Sequence, residues 1–173
     1  MKKIILMIAL TTISFVQTSF AQTDSKQVLN EMLTSYLNLK NSLIVDNADS
    51  ARAAARKIFN AIDNMPIEML PANQHKIWIK YSDKLHYDAE HIKSPVDIDH
   101  QREHFIILSK NMYELMKALN FNISDLYYQF CPMANNGKGA YWLSETEKIG
   151  NPYFGKQMLT CGSTKETLKA KQQ

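Results

Sequence analysis

Residues 97–120 read DIDHQREHFIILSKNMYELMKALN, and this stretch gives the clearest indication of the fold. Its apolar side chains recur every three or four positions, which is the period of an α-helix that turns one face toward a core. Asp97 or Asp99 supplies a short oxygen that can cap the first turn, and residues 120–124 end the pattern. The apolar positions are Ile98, Phe105, Leu108, Met112, Leu115 and Leu119.

Three stretches upstream show the same period. Breaks at Asp46-Asn47, at Pro66 and Pro71, and at Ser94-Pro95 separate them, because proline interrupts a helix and restricts the residue before it. Four amphipathic segments with short connections predict a mainly α protein, an antiparallel four-helix bundle. The predicted core positions are Leu29, Met32, Leu33, Tyr36, Leu39 and Leu43, then Ala51, Ala54, Ala55, Ile58 and Ile62, then Trp78, Tyr81, Leu85 and Ile92.

The residues after the fourth helix have a different character. Residues 126–130 (LYYQF) and 139–143 (GAYWL) are rich in aromatic side chains, and Asn135-Asn136-Gly137 lies between them. Aromatic runs on either side of an Asn-Gly turn predict a short β-hairpin. Residues 164–171 are expected to form a brief terminal helix. Since the aromatic side chains must be buried, we predict that this cysteine-containing segment packs as a cap on the bundle.

The chain begins with MKKIILMIALTTISFVQTSFA. Two lysines, an apolar run and small residues at Ser19 and Ala21 are typical of a secretory signal peptide, with cleavage after Ala21. We therefore expect an exported, periplasmic protein in which residues 22–173 form a single domain. The apolar run is interrupted by Thr and Ser, and a helix across a bilayer needs roughly 20 apolar residues, so we predict no membrane-spanning segment.

Charge and motifs exclude several classes of function. Loss of the signal would remove two lysines and lower the formal net charge from +3 to +1, a balance that argues against nucleic-acid binding. Two cysteines are too few for a disulfide scaffold, so the fold must rest on packing. The sequence contains no nucleophile elbow, phosphate-binding glycine loop or metalloprotease helix, and we predict that the protein is not an enzyme.

Both cysteines lie between residues 127 and 162, each with a methionine close by. Soft sulfur ligands favour Cu(I), so Cys131, Met133, Met158 and Cys161 are a candidate copper site. The alternative is a Cys131–Cys161 disulfide, which would close a loop of about 31 residues and stabilise the fold by about 3.7 kcal/mol. The spacing leaves both alternatives open. The paired methionines favour the metal, because thioethers contribute nothing to a disulfide.

All five histidines lie between residues 75 and 104. His100 and His104 are four positions apart and share one helix face, so the pair can chelate zinc or copper and is a second candidate metal site. His86 and His91 are five apart and fit one helix face poorly. Between His100 and His104 lie Gln101, Arg102 and Glu103, which we expect to form a polar helix face or to anchor the cap.

The motifs CPMA, GAYWLS and NPYFG-x-x-MLTCG, together with QREHF in the fourth helix, carry a resemblance to the bacterial domain family DUF3347. The resemblance extends over roughly residues 25–165. It implies an exported protein related to domains that are fused to periplasmic adaptor subunits of heavy-metal efflux pumps. The matching positions are Cys131, Pro132, Met133, Trp142, Asn151, Pro152, Gly155, Met158, Cys161 and Gly162.

Two functions follow as expectations. The first is a periplasmic soft-metal binding protein that holds Cu(I) for buffering or for delivery to an efflux component. The second is a protein-interaction module without metal, in which a disulfide locks the C-terminal cap.

Overall fold

A computed structural model describes residues 24–95, 97–121 and 124–170. The predicted signal peptide, residues 1–21, lies outside the described residues. Four helices come first, which confirms the predicted mainly α bundle. They are α1 (Ser25–Ile44), α2 (Ala48–Asp63), α3 (Ala72–Lys93) and α4 (Ile98–Leu119). None of the helices in the described ranges is both long and apolar enough to cross a membrane.

Short polar side chains set the helix ends. The Asp97 carboxylate accepts a hydrogen bond of 2.9 Å from the backbone N–H of His100, which makes Asp97 the cap of α4. The Asn47 side chain accepts from the Ser50 N–H in the same way at the start of α2. Asn120 ends α4 in the left-handed conformation, with φ of 55°. These caps satisfy backbone donors that the helix itself leaves without partners.

Every predicted apolar stripe faces the core. All the predicted core residues of the four stripes are buried, except that Ile98 is only partly buried. Helix α2 packs between α1 and α3, and α3 packs against α4. Helices α1 and α4 make little direct contact, and the second strand of the cap lies against both. The cap therefore completes the fourth side of the bundle.

The cap is a three-stranded antiparallel sheet of β1 (Leu126–Cys131), β2 (Ala140–Ser144) and β3 (Ser163–Leu168), in the order β2-β1-β3. The predicted hairpin of β1 and β2 is present. Its connection uses positive φ at Asn135, Asn136 and Gly137, a conformation that these residue types tolerate best.

The predicted terminal helix over residues 164–171 is wrong, because most of this segment is strand β3. Thr164 and Thr167 are β-branched and fit a strand better than a helix. The free edge of β1 supplies hydrogen-bond partners that the local sequence pattern does not reveal.

Tyr36 joins the bundle to the cap. Its hydroxyl shares a hydrogen bond of 2.5 Å with Ser109 Oγ on α4 and accepts one of 2.9 Å from the Leu143 N–H on β2. Burial raises the pKa of this phenol well above its ordinary value, so the hydroxyl stays neutral. One fully buried side chain of α1 thus fixes both α4 and the sheet.

Arg102 makes a second connection, as an anchor of the cap. Its guanidinium donates to the Pro152 carbonyl in the cap (3.0 Å), to the Leu43 carbonyl at the end of α1 (3.1 Å) and to Asp46 Oδ1 (2.6 Å). Gly155 lies against this group with φ of +53°, and a Cβ there would be 1.9 Å from Asp46 Oδ1. Only glycine satisfies both the backbone angle and the space.

Replacing Tyr36 with Phe should lower the free energy of unfolding by about 1–3 kcal/mol, because Ser109 and the Leu143 N–H lose a buried partner. Urea unfolding at neutral pH measures the change. Tyr87→Phe is the matched control, since Tyr87 is 56% exposed and its loss of a hydroxyl should have little effect. A Tyr36→Phe protein as stable as the wild type would contradict the proposed role of the hydroxyl.

Because of Asp46, the free energy of unfolding should depend on pH in the acidic range. The hydrogen bond from Arg102 holds the pKa of Asp46 below its ordinary value. The stabilisation is therefore fully present above the unfolded pKa of about 3.9 and is lost as the pH falls through the folded pKa. The stability difference between wild type and Asp46→Asn should be largest near neutral pH and shrink between about pH 4 and pH 2.

Denaturant unfolding of the two proteins across that range measures the Asp46 effect. Asp49→Asn provides the control, because Asp49 pairs with Arg52 on the surface and its side chain is 87% exposed. A difference between wild type and Asp46→Asn that stays constant down to pH 2 would rule out the Arg102 interaction as its source.

Candidate functional site

The pairing of β1 with β3 brings the two cysteines together. Phe130 lies opposite Ser163, so the next residue of β1, Cys131, reaches the turn that precedes β3 and contains Cys161. The two Sγ atoms are 2.6 Å apart. Cys131 is fully buried and Cys161 is partly exposed. The structure therefore joins two thiols that are 30 positions apart in sequence.

Glycine and asparagine hold the Cys161 turn in place. A Cβ on Gly162 would lie 2.8 Å from Trp142 Cη2 and 3.0 Å from the Phe130 carbonyl oxygen, so a side chain would push the turn away from β1. Asn151 is fully buried, and its Nδ2 donates to the Cys161 carbonyl at 2.9 Å. Its Oδ1 accepts from the Tyr153 N–H at 2.8 Å. The roles of Gly162 and Asn151 are thus to position Cys161.

The pKa of Cys161 is raised above its ordinary value. The main cause is the hydrogen bond with the Cys131 thiol, and burial adds to it, while the backbone N–H of Met133 acts in the opposite direction. The reduced Cys161 therefore keeps its proton at neutral pH. A metal ion must displace that proton to bind there, since thiolate rather than thiol is the ligand.

The two methionines lie beside the thiols but reach solvent. Met133 is 54% exposed and lines an open cavity of about 270 Å³ with Arg102, Ile106 and Tyr153. Met158 is partly exposed, and its carbonyl accepts a hydrogen bond of 3.2 Å from the Cys161 N–H. The backbones of both methionines thus contact Cys161, while the Met133 side chain is exposed and the Met158 side chain partly exposed.

A second group of candidate ligands lies where α3 ends and α4 begins. His91, His100 and His104 each offer a ring nitrogen, and these nitrogens lie within 4.8 Å of one another. The helical spacing predicted the His100–His104 pair. It did not predict His91, because spacing along one helix relates His91 only to residues of α3 such as His86. The short connection between α3 and α4 does indicate that His91 lies near the pair, because it places the last turn of α3 opposite the first turns of α4.

The other histidines have different surroundings. His86 Nε2 lies 3.1 Å from Asp63 Oδ1, and its ring packs against Phe59 with centroids 4.1 Å apart. His75 lies in the first turn of α3, at the opposite end of that helix from His91. His75 therefore offers a control position on the same helix.

The fold and these side chains define a class of protein: a helical bundle with a small C-terminal sheet that carries a thiol pair. The family described as "Protein of unknown function (DUF3347)" matches residues 32–124, more than half of the 173-residue chain. The chain belongs to this family, as its motifs predicted. The matched range holds most of the bundle and all three clustered histidines, and it ends before Cys131. No curated protein and no solved structure matches the chain.

Mild oxidation should join Cys131 and Cys161 within one chain, because their sulfur atoms are already adjacent. The free-thiol count should fall from two to zero without disulfide-linked dimers, and the oxidised protein should gain up to about 3.7 kcal/mol in unfolding free energy. Thiol titration, a non-reducing gel and urea unfolding with and without reductant measure these changes.

Cys161→Ala is the control for the oxidation experiment, because it leaves only the buried Cys131 thiol. Its stability should be the same with and without oxidant. Dimers as the main oxidation product of the wild type would contradict the intramolecular pairing.

Proposed function

We propose that the protein binds a soft metal ion, Cu(I), through the thiolates of Cys131 and Cys161. The observation that carries this proposal is the contact of the two sulfur atoms, 2.6 Å apart, with Cys161 at the surface. Thiolates are soft ligands and select Cu(I) over hard cations. The partly exposed Cys161 gives the ion a way in and out, which suits a protein that takes up and releases metal.

The thiol pair must open slightly to hold an ion. Two sulfurs on one metal with bonds of about 2.3 Å lie roughly 3.8 Å apart at a tetrahedral angle. The required shift is about 1 Å, and the partly exposed Cys161, rather than the buried Cys131, is the residue with room to make it. Removal of the two protons accompanies binding.

Met133 and Met158 complete the ligand shell in this proposal. Their backbones already contact Cys161, so each thioether is tethered close to the thiolates. Both side chains are accessible to solvent, which leaves them free to turn toward a bound ion. Thioethers also resist oxidising surroundings better than thiolates do.

The biological role that we propose is copper buffering, or delivery to a periplasmic efflux component, by an exported protein. The family resemblance supports this role, because related domains are fused to adaptor subunits of heavy-metal efflux pumps. The N-terminal sequence supports export.

A disulfide-locked interaction module is the second candidate function. The same short sulfur–sulfur distance favours it, since oxidising compartments convert adjacent thiols to disulfides. A disulfide uses both thiolates and leaves no strong ligand, so we propose that metal and disulfide are mutually exclusive states of one site.

Titration of the reduced protein with Cu(I) under anaerobic conditions, against a competing chelator, tests the copper proposal. The wild type should withdraw one equivalent of Cu(I), and Cys161→Ala should withdraw none. Met133→Leu and Met158→Leu should each weaken binding, but by less than Cys161→Ala does, because a thioether is a weaker ligand than a thiolate. Met69→Leu, in the connection between α2 and α3, is the matched control and should bind like the wild type.

Matched oxidised samples separate the two candidate functions. After oxidation the protein should contain no free thiol and no bound Cu(I), and reductant followed by fresh Cu(I) should restore both. Equal Cu(I) retention in a sample without free thiols would show that the cysteines are not the ligands.

A further inference from the structure

The last turn of α3 and the first turns of α4 form a cluster of imidazoles. Residues 94–97 connect the two antiparallel helices, so His91 lies opposite His100 and His104. The rings of His91 and His104 stack, with centroids 4.2 Å apart and planes at 13°. The His100 ring is tilted against His104 at 4.8 Å. All three residues are partly exposed, so the cluster is a surface feature and not part of the core.

The spacing of the ring nitrogens suits one bound cation. A metal with nitrogen ligands at about 2.0–2.1 Å needs those nitrogens roughly 3.3 Å apart at a tetrahedral angle. The three nitrogens already lie within 4.8 Å of one another. To bind one ion, the His91 ring must turn out of its stack with His104 so that the in-plane lone pairs converge, and the His100 side chain has room to follow because it is 39% exposed.

Asp88 provides the carboxylate partner that orients a metal-binding histidine. Its Oδ1 lies 3.0 Å from His104 Nδ1, and its side chain is only 5% exposed. This hydrogen bond fixes the orientation of the ring and leaves Nε2 as the nitrogen that can face an ion. Metal-binding histidines in proteins usually have such a carboxylate partner on the other ring nitrogen.

An open cavity of about 520 Å³ adjoins the cluster, and Tyr87, Asp88, Glu103 and His104 line it. The Tyr87 ring packs against His91 with centroids 4.5 Å apart and forms one wall. The cavity reaches only His104 of the three histidines, and the partial exposure of all three gives an ion access from solvent. This exposure also leaves room for a water molecule as the fourth ligand of a three-histidine site.

We infer that His91, His100 and His104 form a binding site for a divalent cation of the Zn²⁺ or Cu²⁺ class. Imidazole suits both ions, and thioethers suit Cu(I); thiolates also bind Zn²⁺, so a cysteine-free background is needed to separate the two sites. The site shares no residue and no donor type with the thiol pair, and it does not depend on the proposed function. With an ion bound, the end of α3 and the start of α4 are clamped together.

Isothermal titration of the full chain with Zn²⁺, and separately with Cu²⁺, tests the site. The titrations use the wild type and a Cys131→Ala/Cys161→Ala background, in which no thiol can contribute. Both proteins should bind one equivalent through the histidines, and the Cu²⁺ form should show nitrogen couplings in its electron paramagnetic resonance spectrum.

Variants in the cysteine-free background assign the ligands. His91→Gln, His100→Gln and His104→Gln should each weaken binding by more than the roughly 10- to 100-fold expected for the carboxylate change Asp88→Asn. His75→Gln, on the same helix as His91, should leave the dissociation constant unchanged. Zn²⁺ should raise the Tm of the background protein and of His75→Gln but not that of His91→Gln.

Two outcomes would overturn the inference. The first is binding that survives in the triple His91→Gln/His100→Gln/His104→Gln variant. The second is Zn²⁺ and Cu²⁺ binding that disappears in the cysteine-free background while its circular dichroism stays native, since this would place the ligands at the thiols. Failure of the Cu(I) experiment alone would leave the three-histidine result intact.

Discussion

The hydroxyl of Tyr36 is the fully buried contact that positions the cap on the bundle, and Arg102 of α4 supports it with a second connection. Tyr36 lies on α1, touches Ser109 on α4 and holds the Leu143 N–H of β2. Once β2 is fixed, the antiparallel ladder fixes β1, and β1 in turn fixes β3. A slip of one residue in this ladder would turn Cys131 to the opposite face of the sheet. The position of the thiol pair therefore depends in part on a hydrogen bond made from helix α1.

The bundle could be predicted from the sequence because each helix carries its own apolar stripe at the helical period. Position 36 was predicted to lie in the core, but its hydroxyl contacts could not be predicted, since Ser109 is 73 positions away. The same limit explains β3. Its residues have no strong local pattern, and the edge of β1 decides their conformation.

The same difference between local sequence signals and long-range contacts applies to the candidate sites. The i, i+4 spacing of His100 and His104 is a local signal, and the structure keeps both on one helix face. His91 and Asp88 join them from α3, and that relation depends on how the two helices pair. Cys131 and Cys161 were singled out by residue type, but only the register of β1 with β3 explains why their sulfurs touch.

Residues 100–104 of α4 supply two histidines of one proposed site and an arginine that holds the cap carrying the other. His100 and His104 face α3, while Arg102, between them in sequence, donates to the Pro152 carbonyl of the cap. Neither donor set needs a residue of the other. Their chemistry is complementary for copper: thiolates and thioethers favour Cu(I), and imidazoles suit Cu²⁺. An external oxidant such as dioxygen would take two electrons from the two thiolates to close the Cys131–Cys161 disulfide and one electron from the released Cu(I), and the histidines would remain as ligands for the resulting Cu²⁺. The two proposals together describe a protein that holds either oxidation state of copper at a site matched to it.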